Sequence, residues 1–391
     1  MAVADRKIIL DQVRRLAAVP AQSAPEGLIF YCARMLDGIT AGLVARLGQK
    51  PSPNVFSNLM TIEAHRLIDN VSKELAHTLR RMGNGVRHTL DDSTVDDTKL
   101  AVVLVREMVR WFENLEPGDE FQDALSRLSA QIDPDWGVVA VVGLLERIEE
   151  GDESAVDALF ARQDDVLSSR FLATLCAEAL IACGRAEQAG TLLARSAEAY
   201  GSDQRYQQLH ALLLSRTGKL DEAVAAADVL LKRYPDDDET SGIAGGIYKR
   251  RWDRDATQEQ ALKKAHELYR KQWEKGKKIN AYLGVNAAAT ALYRGDAALA
   301  RQIAETVVQA MERRDAALAQ AHLVPQDDGV ADYYDRVSRA EALLVSGKTA
   351  EAHAAYLAAF DRYDHLAGNI GGTKAQAARI AATLGLQDFA L

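Results

Sequence analysis

Four glycines in the second half of this chain restrict what it can fold into more than any other feature. Gly184, Gly218, Gly295 and Gly347 are each followed five residues later by alanine, at Ala189, Ala223, Ala300 and Ala352. Sixteen residues after each glycine stands a large side chain: Tyr200, Tyr234, Met311 or Tyr363. Glycine ends a helix in the left-handed region at little steric cost. A small alanine then lets the next helix approach closely, and the large residue fills the contact to the following unit. Pro235 stops one such helix, and the acidic run 236–239 offers a cap and favourable charge to the next.

Gly184 and Gly218 are 34 residues apart, the period of tetratricopeptide repeats. Unrelated helical hairpins would have to match at three positions four times by chance. The interval from Gly218 to Gly295 is 77 residues, more than two periods, so one helical pair there is expected to be lengthened. No alternating β-branched run appears, and long 3.6-residue periodicities dominate. The expected fold is all-α. Residues 1–115 read as an N-terminal helical domain, 116–135 (with Pro117, Gly118 and Pro134) as a joint, and 136–391 as an irregular tetratricopeptide superhelix.

The lengthened pair carries an unusual charge. The whole chain is −9, yet Lys249 to Lys278 holds 11 Lys/Arg against 5 Asp/Glu, a local +6. Such a patch suggests an anionic partner. Gly242, Gly245 and Gly246 open a predicted helix, whose free N–H groups attract anions. Lys249, Arg250 and Arg251 follow, and Tyr282 and Asn286 offer neutral hydrogen bonds. The candidate ligand-binding set is therefore Gly245, Gly246, Lys249, Arg250, Arg251, Tyr282 and Asn286. A plainer reading stands beside it: the glycines permit tight helix packing and the cations are solvated. The string GIAGGIYK lacks the GK[ST] ending of a phosphate-binding loop and no strand precedes it.

A second segment is AHTLRRMGNGVRH, residues 76–88. On a helix His77, Arg80, Arg81, Asn84 and His88 share one arc, flanked by apolar Leu75, Leu79, Met82 and Val86. Gly83 and Gly85 each weaken a helix by about 1 kcal/mol relative to alanine, which implies that another helix or a substrate comes close.

Two resemblances follow. ETSGIAGGIYKRRW (239–252), Tyr269, Trp273 and AYLGVNAAATALYRG (281–295) resemble the TRAFs-binding domain, a divergent tetratricopeptide module of stress-signalling kinase kinase kinases that also occurs in bacterial proteins. No HRD or DFG kinase segment is present. The resemblance implies a partner scaffold, or a sensor of a nucleotide-derived signal in bacterial conflict systems. His77, Arg80, Gly83, Asn84 and His88, with the upstream helix 30–48, resemble the DUF4145-type branch of the helical HEPN superfamily. That resemblance implies a homodimer and a metal-independent ribonuclease. His88 would act as general acid or base, Arg80 would stabilise the phosphate transition state, and Asn84 would orient them. The spacing from Arg80 to His88 is longer than is usual in that superfamily. A non-catalytic polar network or dimer contact, with Asp91, Asp92, Asp96 or Asp97 as counter-charges, is the other reading.

No metal or cofactor is expected. The eight histidines are scattered and no CxxC occurs. Cys32, Cys176 and Cys183 read as buried thiols of a reducing compartment. The longest strongly apolar run, 138–145, is too short to span a bilayer, so a cytoplasmic protein without membrane contact is expected. The acidic chain argues against a dedicated duplex-DNA binder. The expected partners are a nucleotide-derived ligand or a protein at the repeats, and RNA at the N-terminal domain.

Overall fold

The computed structural model describes residues 25–88, 93–115, 119–276, 278–326, 329–364 and 366–391, together with Asp11, Gln12, Arg15 and Pro117. Every regular element among the described residues is a helix. They divide into two compact units, residues 1–63 with 68–217 and residues 64–67 with 218–391.

The first unit opens with α1 (Pro25–Arg46), α2 (Val55–Ala64), α3 (Asn70–His88) and α4 (Val95–Leu115). Helices α1, α3 and α4 pack on one another. By length and apolar composition α1 would also suit a membrane span, but most of it is buried in this core, including Cys32, Met35, Leu36, Ile39 and Leu43. Gly83 has a packing reason: a Cβ there would stand 2.4 Å from Ala33 Cβ, so glycine lets α3 close on α1. The segment 116–135 holds α5 (Asp119–Ser129), which packs on α4 through buried Ala124 and Leu128. Next come α6 (Gly137–Glu149), α7 (Glu153–Ala161), α8 (Gln163–Leu167), α9 (Arg170–Ala182), α10 (Ala186–Tyr200) and α11 (Gln204–Arg216). The division between units falls at Gly218, after these helices.

The second unit holds α12 (Leu220–Arg233), α13 (Asp238–Arg254), α14 (Glu259–Lys275), α15 (Ala281–Tyr293), α16 (Ala297–Ala321), α17 (Val330–Val345), α18 (Thr349–Arg362) and α19 (Ala367–Thr383). Gly184, Gly218, Gly295 and Gly347 have φ of +77°, +81°, +84° and +88°. After three of them the next amide reaches back to close the helix: Arg185 to Leu180 O at 2.8 Å, Asp296 to Ala291 O at 3.0 Å and Lys348 to Leu343 O at 2.9 Å. Ala189, Ala223, Ala300 and Ala352 are all buried. Hairpins α13/α14, α15/α16 and α17/α18 stack in order, with α12 against α13, α14 against α15 and α16 against α17. The tetratricopeptide-like solenoid expected from the register is therefore present.

The pair in the long interval is α13/α14, of 17 residues each against 13 in α15. Its turn uses no glycine. Asp255 builds it instead, accepting from Thr257 N at 3.1 Å, Thr257 Oγ1 at 2.7 Å and Gln258 Nε2 at 3.0 Å. Asp237 caps α13 by accepting from Thr240 N at 2.8 Å.

Residues 64–67 belong to this second unit through Arg66, which adopts a left-handed φ of +56°. Its Nη2 donates to Gln326 O at 3.2 Å and its carbonyl accepts from Gln326 N at 2.6 Å. Arg66 also pairs with Asp332, which is 2% exposed and takes Arg336 and the Tyr363 hydroxyl as well. Burial alone would raise the Asp332 carboxyl, but these donors outweigh it and hold it below the usual range.

Candidate functional site

In a stack of hairpins the first helices share the inner face, the usual recognition surface of such arrays. Here α13, α15 and α17 supply it, and α19 lies against it. Lys249 Nζ donates to Asn286 Oδ1 at 2.7 Å and to Gln376 Oε1 at 3.1 Å. Asn286 Nδ2 donates to the Tyr282 carbonyl at 2.8 Å, which fixes the amide with its oxygen toward the lysine. Gln376 Nε2 donates to Glu341 Oε1 at 3.0 Å. Four helices thus contribute one side chain each to a chain of polar groups. Asn286 is 4% and Glu341 8% exposed. Burial pushes the Glu341 carboxyl up, opposed by Lys249 and by Gln376.

The surroundings are aromatic. Trp252 stacks on Tyr293 with ring centroids 4.8 Å apart, and Arg379 lies over Trp252 at 5.3 Å while pairing with Asp253. The buried hydroxyls of Tyr293 and Tyr356 make no hydrogen bond. Burial pushes both up first, and the negative charge of Glu341 adds to it.

The predicted residues do not form one cluster. Lys249, Asn286 and Tyr282 meet on the inner face. Gly245 and Gly246 sit beside Tyr269, whose ring a Cβ would meet at 3.5 Å from Gly245 and whose hydroxyl at 3.7 Å from Gly246. Arg250 acts on the same tyrosine electrostatically. Tyr282 stands edge-on to Tyr269 at 6.3 Å. Arg251 departs to the flank of α13 that faces α12, where it binds Asp221 at 2.7 Å. Three consecutive helical residues point about 100° apart, so they cannot grip one phosphate together. Nor is the +6 segment a free cationic surface. Lys264 pairs with Asp228, Lys271 with Asp236, Lys275 with Asp238 and Arg270 with Glu274. Asp228, Asp236 and Asp238 lie on α12, in the turn that follows it or at the first residue of α13, outside the window in which the charge was counted.

An open groove of about 380 Å³ lies along the α12-facing flank, lined by Asp228, Tyr248, Arg251, Lys263, Lys264 and Glu267 among others. Tyr248 and Lys264 both bond Asp228, and Lys264 Nζ is 2.7 Å from the Tyr248 hydroxyl. Asp228, Tyr248 and Lys264 satisfy one another there, and Arg251 is taken by Asp221.

In the first unit α3 places the predicted catalytic arc. His77 Nε2 lies 2.7 Å from Glu63 Oε1. Arg80 Nε reaches His77 Nδ1 at 3.4 Å, and its guanidinium lies over the Phe56 ring at 5.0 Å. Asn84 is exposed one turn on. His88 ends α3, and its side chain lies outside the described residues, as do Asp91 and Asp92. Arg81 turns inward, donating to Thr78 Oγ1 at 2.8 Å and standing 3.9 Å from Glu178 of α9. Glu178 also takes Arg205 of α11 and shares a hydrogen bond with Glu74, which has Lys73 at 3.2 Å. The acids beside His77 and Arg81 are thus Glu63 and Glu178, while Asp96 pairs with Lys99 and Asp97 bonds Ser169.

Sequence reading missed Glu341, Gln376 and Arg379. A signal existed for one of them: Glu341 stands directly before the apolar run Ala342, Leu343, Leu344 and Val345, where a buried carboxylate needs a partner.

Residues 185–293 match a family model described as Tetratricopeptide Repeats-Sensor. No curated protein matches the chain. The match covers α10 to α15, which includes Lys249, Tyr282 and Asn286.

Proposed function

We propose that this protein is a sensor: its second unit takes a nucleotide-derived ligand on the inner face at Lys249, Asn286 and Tyr282, and its N-terminal helical domain gives the response. One observation carries the reading. Arg251, Lys264, Arg270, Lys271 and Lys275 of the basic segment each touch a carboxylate, but Lys249 is held by two neutral amide oxygens on a largely buried inner face. Its charge is not cancelled at contact, so an incoming phosphate or ribose oxygen can replace Gln376 without breaking an ion pair. The sensor-type repeat match over the same residues supports this.

The test is thermal unfolding of the full chain against a panel of nucleotides and dinucleotides. A ligand at a hundred times its Kd stabilises by about 2.7 kcal/mol. The expected result is a shift with at least one compound that disappears in Lys249→Ala and Asn286→Ala. No shift with any compound, together with a stoichiometric protein partner lost on charge reversal at Arg250 and Arg251, would establish instead a non-enzymatic scaffold.

The response we assign to the N-terminal domain is cleavage of RNA by Arg80, Asn84 and His88. The motif resemblance of His77, Arg80, Gly83, Asn84 and His88 supports it, with Arg80 lying against His77, which Glu63 holds. RNA left intact with and without ligand, or cut equally by Arg80→Ala and His88→Ala, makes the domain an adaptor or dimerisation module.

A further inference from the structure

The inner face that the ligand reading requires is already occupied by part of the same chain. A helix that merely capped the last hairpin would touch α17 and α18. Helix α19 packs on α15 as well as α17. Its side chains extend further, to α13: Gln376 accepts from Lys249 at 3.1 Å and Arg379 pairs with Asp253. Thr373 Oγ1 is 2.6 Å from the Tyr333 hydroxyl, and Asn369 donates to the Tyr334 hydroxyl at 3.0 Å. Asn369, Thr373 and Gln376 form one stripe at helical spacing, so a single face of α19 lies on the first helices of three successive hairpins.

The two halves of α19 are held very differently. From Ala377 onward the chain is anchored by buried Ala377 and Ile380, and Leu384, Leu386 and Phe389 pack against the core. Among the described residues, the first half has only the partly buried Leu366 and Ile370 against the core, and its other contacts include the polar ones of Asn369, Thr373 and Gln376. Its N-cap, Leu366, offers no side-chain hydrogen bond. Gly371 and Gly372 sit in the helix interior with nothing within 4 Å of a would-be Cβ, so no close neighbour demands them. Glycine there only loosens the helix.

We propose that the first half of α19 is a strap that closes the inner-face site in the resting protein and frays about Gly371 and Gly372 to open it. Gln376 stands in for the ligand's polar group on Lys249, so strap and ligand compete for one position. The competition rests on the ligand reading above; the fraying does not, and it can be measured with no ligand present.

The experiment uses the full chain, Gln376→Ala, and the double variant Gly371→Ala with Gly372→Ala, all checked for unchanged helical content. In hydrogen exchange, amides 370–376 should exchange faster than those of α17 and α18. The double variant should slow them on the order of tenfold or more, from two glycine-to-alanine gains. In hydroxyl-radical footprinting, oxidation of Tyr333, whose hydroxyl Thr373 covers, should fall in the double variant and rise in Gln376→Ala. Equal protection of 370–376 and α17, or Tyr333 oxidation unmoved by either variant, overturns the strap. Titration with the fluorescent nucleotide mant-ADP separates the two ideas. Tighter binding in Gln376→Ala and weaker binding in the double variant supports competition, and one affinity across all three overturns it. Absence of mant-ADP binding alongside the expected exchange and footprinting changes counts against ADP-like ligands while upholding the strap.

Discussion

Lys249 and Arg251 are two positions apart in one helix, yet one joins a buried network of amides and the other an ion pair on the opposite flank. At this scale the neighbours decide what a charge can do. Glu74 and Glu178 show the same in the first unit. Burial, then the charge of Glu178, raises the Glu74 carboxyl to about 7 from its usual 4.5. Burial would raise Glu178 too, but Arg205 and Arg81 outweigh it and hold that carboxylate low. An acid with a raised folded-state pKa binds its proton more tightly in the folded chain. Glu74 therefore favours folding below pH 4.5, and that benefit is lost as pH rises toward 7. Glu178 contributes above its ordinary value and loses that contribution in stronger acid. We expect Glu74→Gln, which mimics the protonated form, to flatten the loss of stability between pH 5 and 7 by on the order of 1 kcal/mol or more. Urea midpoints at several pH values measure it, and parallel curves for both proteins would show that Glu74 ionises freely.

Within and between helices, glycines of the same appearance do opposite work. A Cβ on Gly284 would stand 2.4 Å from Val307 Cγ2 and 2.8 Å from Trp273 Nε1, so α15 needs a bare backbone to fit between α14 and α16. Gly284→Ala should destabilise the second unit by about 1–3 kcal/mol, the usual cost of overpacking. The substitutions at Gly371 and Gly372, in open space, should stabilise. A thermal scan of both sets reads the sign directly, and stabilisation by Gly284→Ala would contradict the close fit. This contrast also marks what was legible beforehand. Gly184, Gly218, Gly295 and Gly347 announced themselves because a left-handed turn selects glycine at the same place in four of the hairpins. Gly284 and Gly371 carry no such register. The inner-face network was half legible for a similar reason: Lys249, Tyr282 and Asn286 lie close in sequence on a recognisable pair of helices. Glu341 and Gln376 reach them only through the stacking of hairpins far along the chain. The basic segment misled because charge was counted within a window, whereas its neutralising acids, Asp221, Asp228 and Asp236, precede that window.

Across the whole molecule, the chain passes between the two units more than once. It leaves the first unit at residue 63, lends residues 64–67 to the second, and returns at 68. Asp332 is the receiving group, 2% exposed among Arg66, Arg336 and Tyr363. Removing one member of a buried ion pair typically costs about 3–5 kcal/mol. Asp332→Asn should therefore lower the unfolding free energy of the second unit by roughly that amount, followed by hydrogen exchange in α17 and α18. Exchange there unchanged from wild type would mean that the cluster contributes nothing to the unit.

The loan of Arg66 also decides how this protein can be dissected. A piece cut to begin at Gly218 keeps every helix of the second unit but arrives without that arginine, leaving a sunken carboxylate short of a cation. Weak binding by such a piece would then report the surgery and not the groove. The boundary that looks natural from the helices alone is the one place where the scissors should not go.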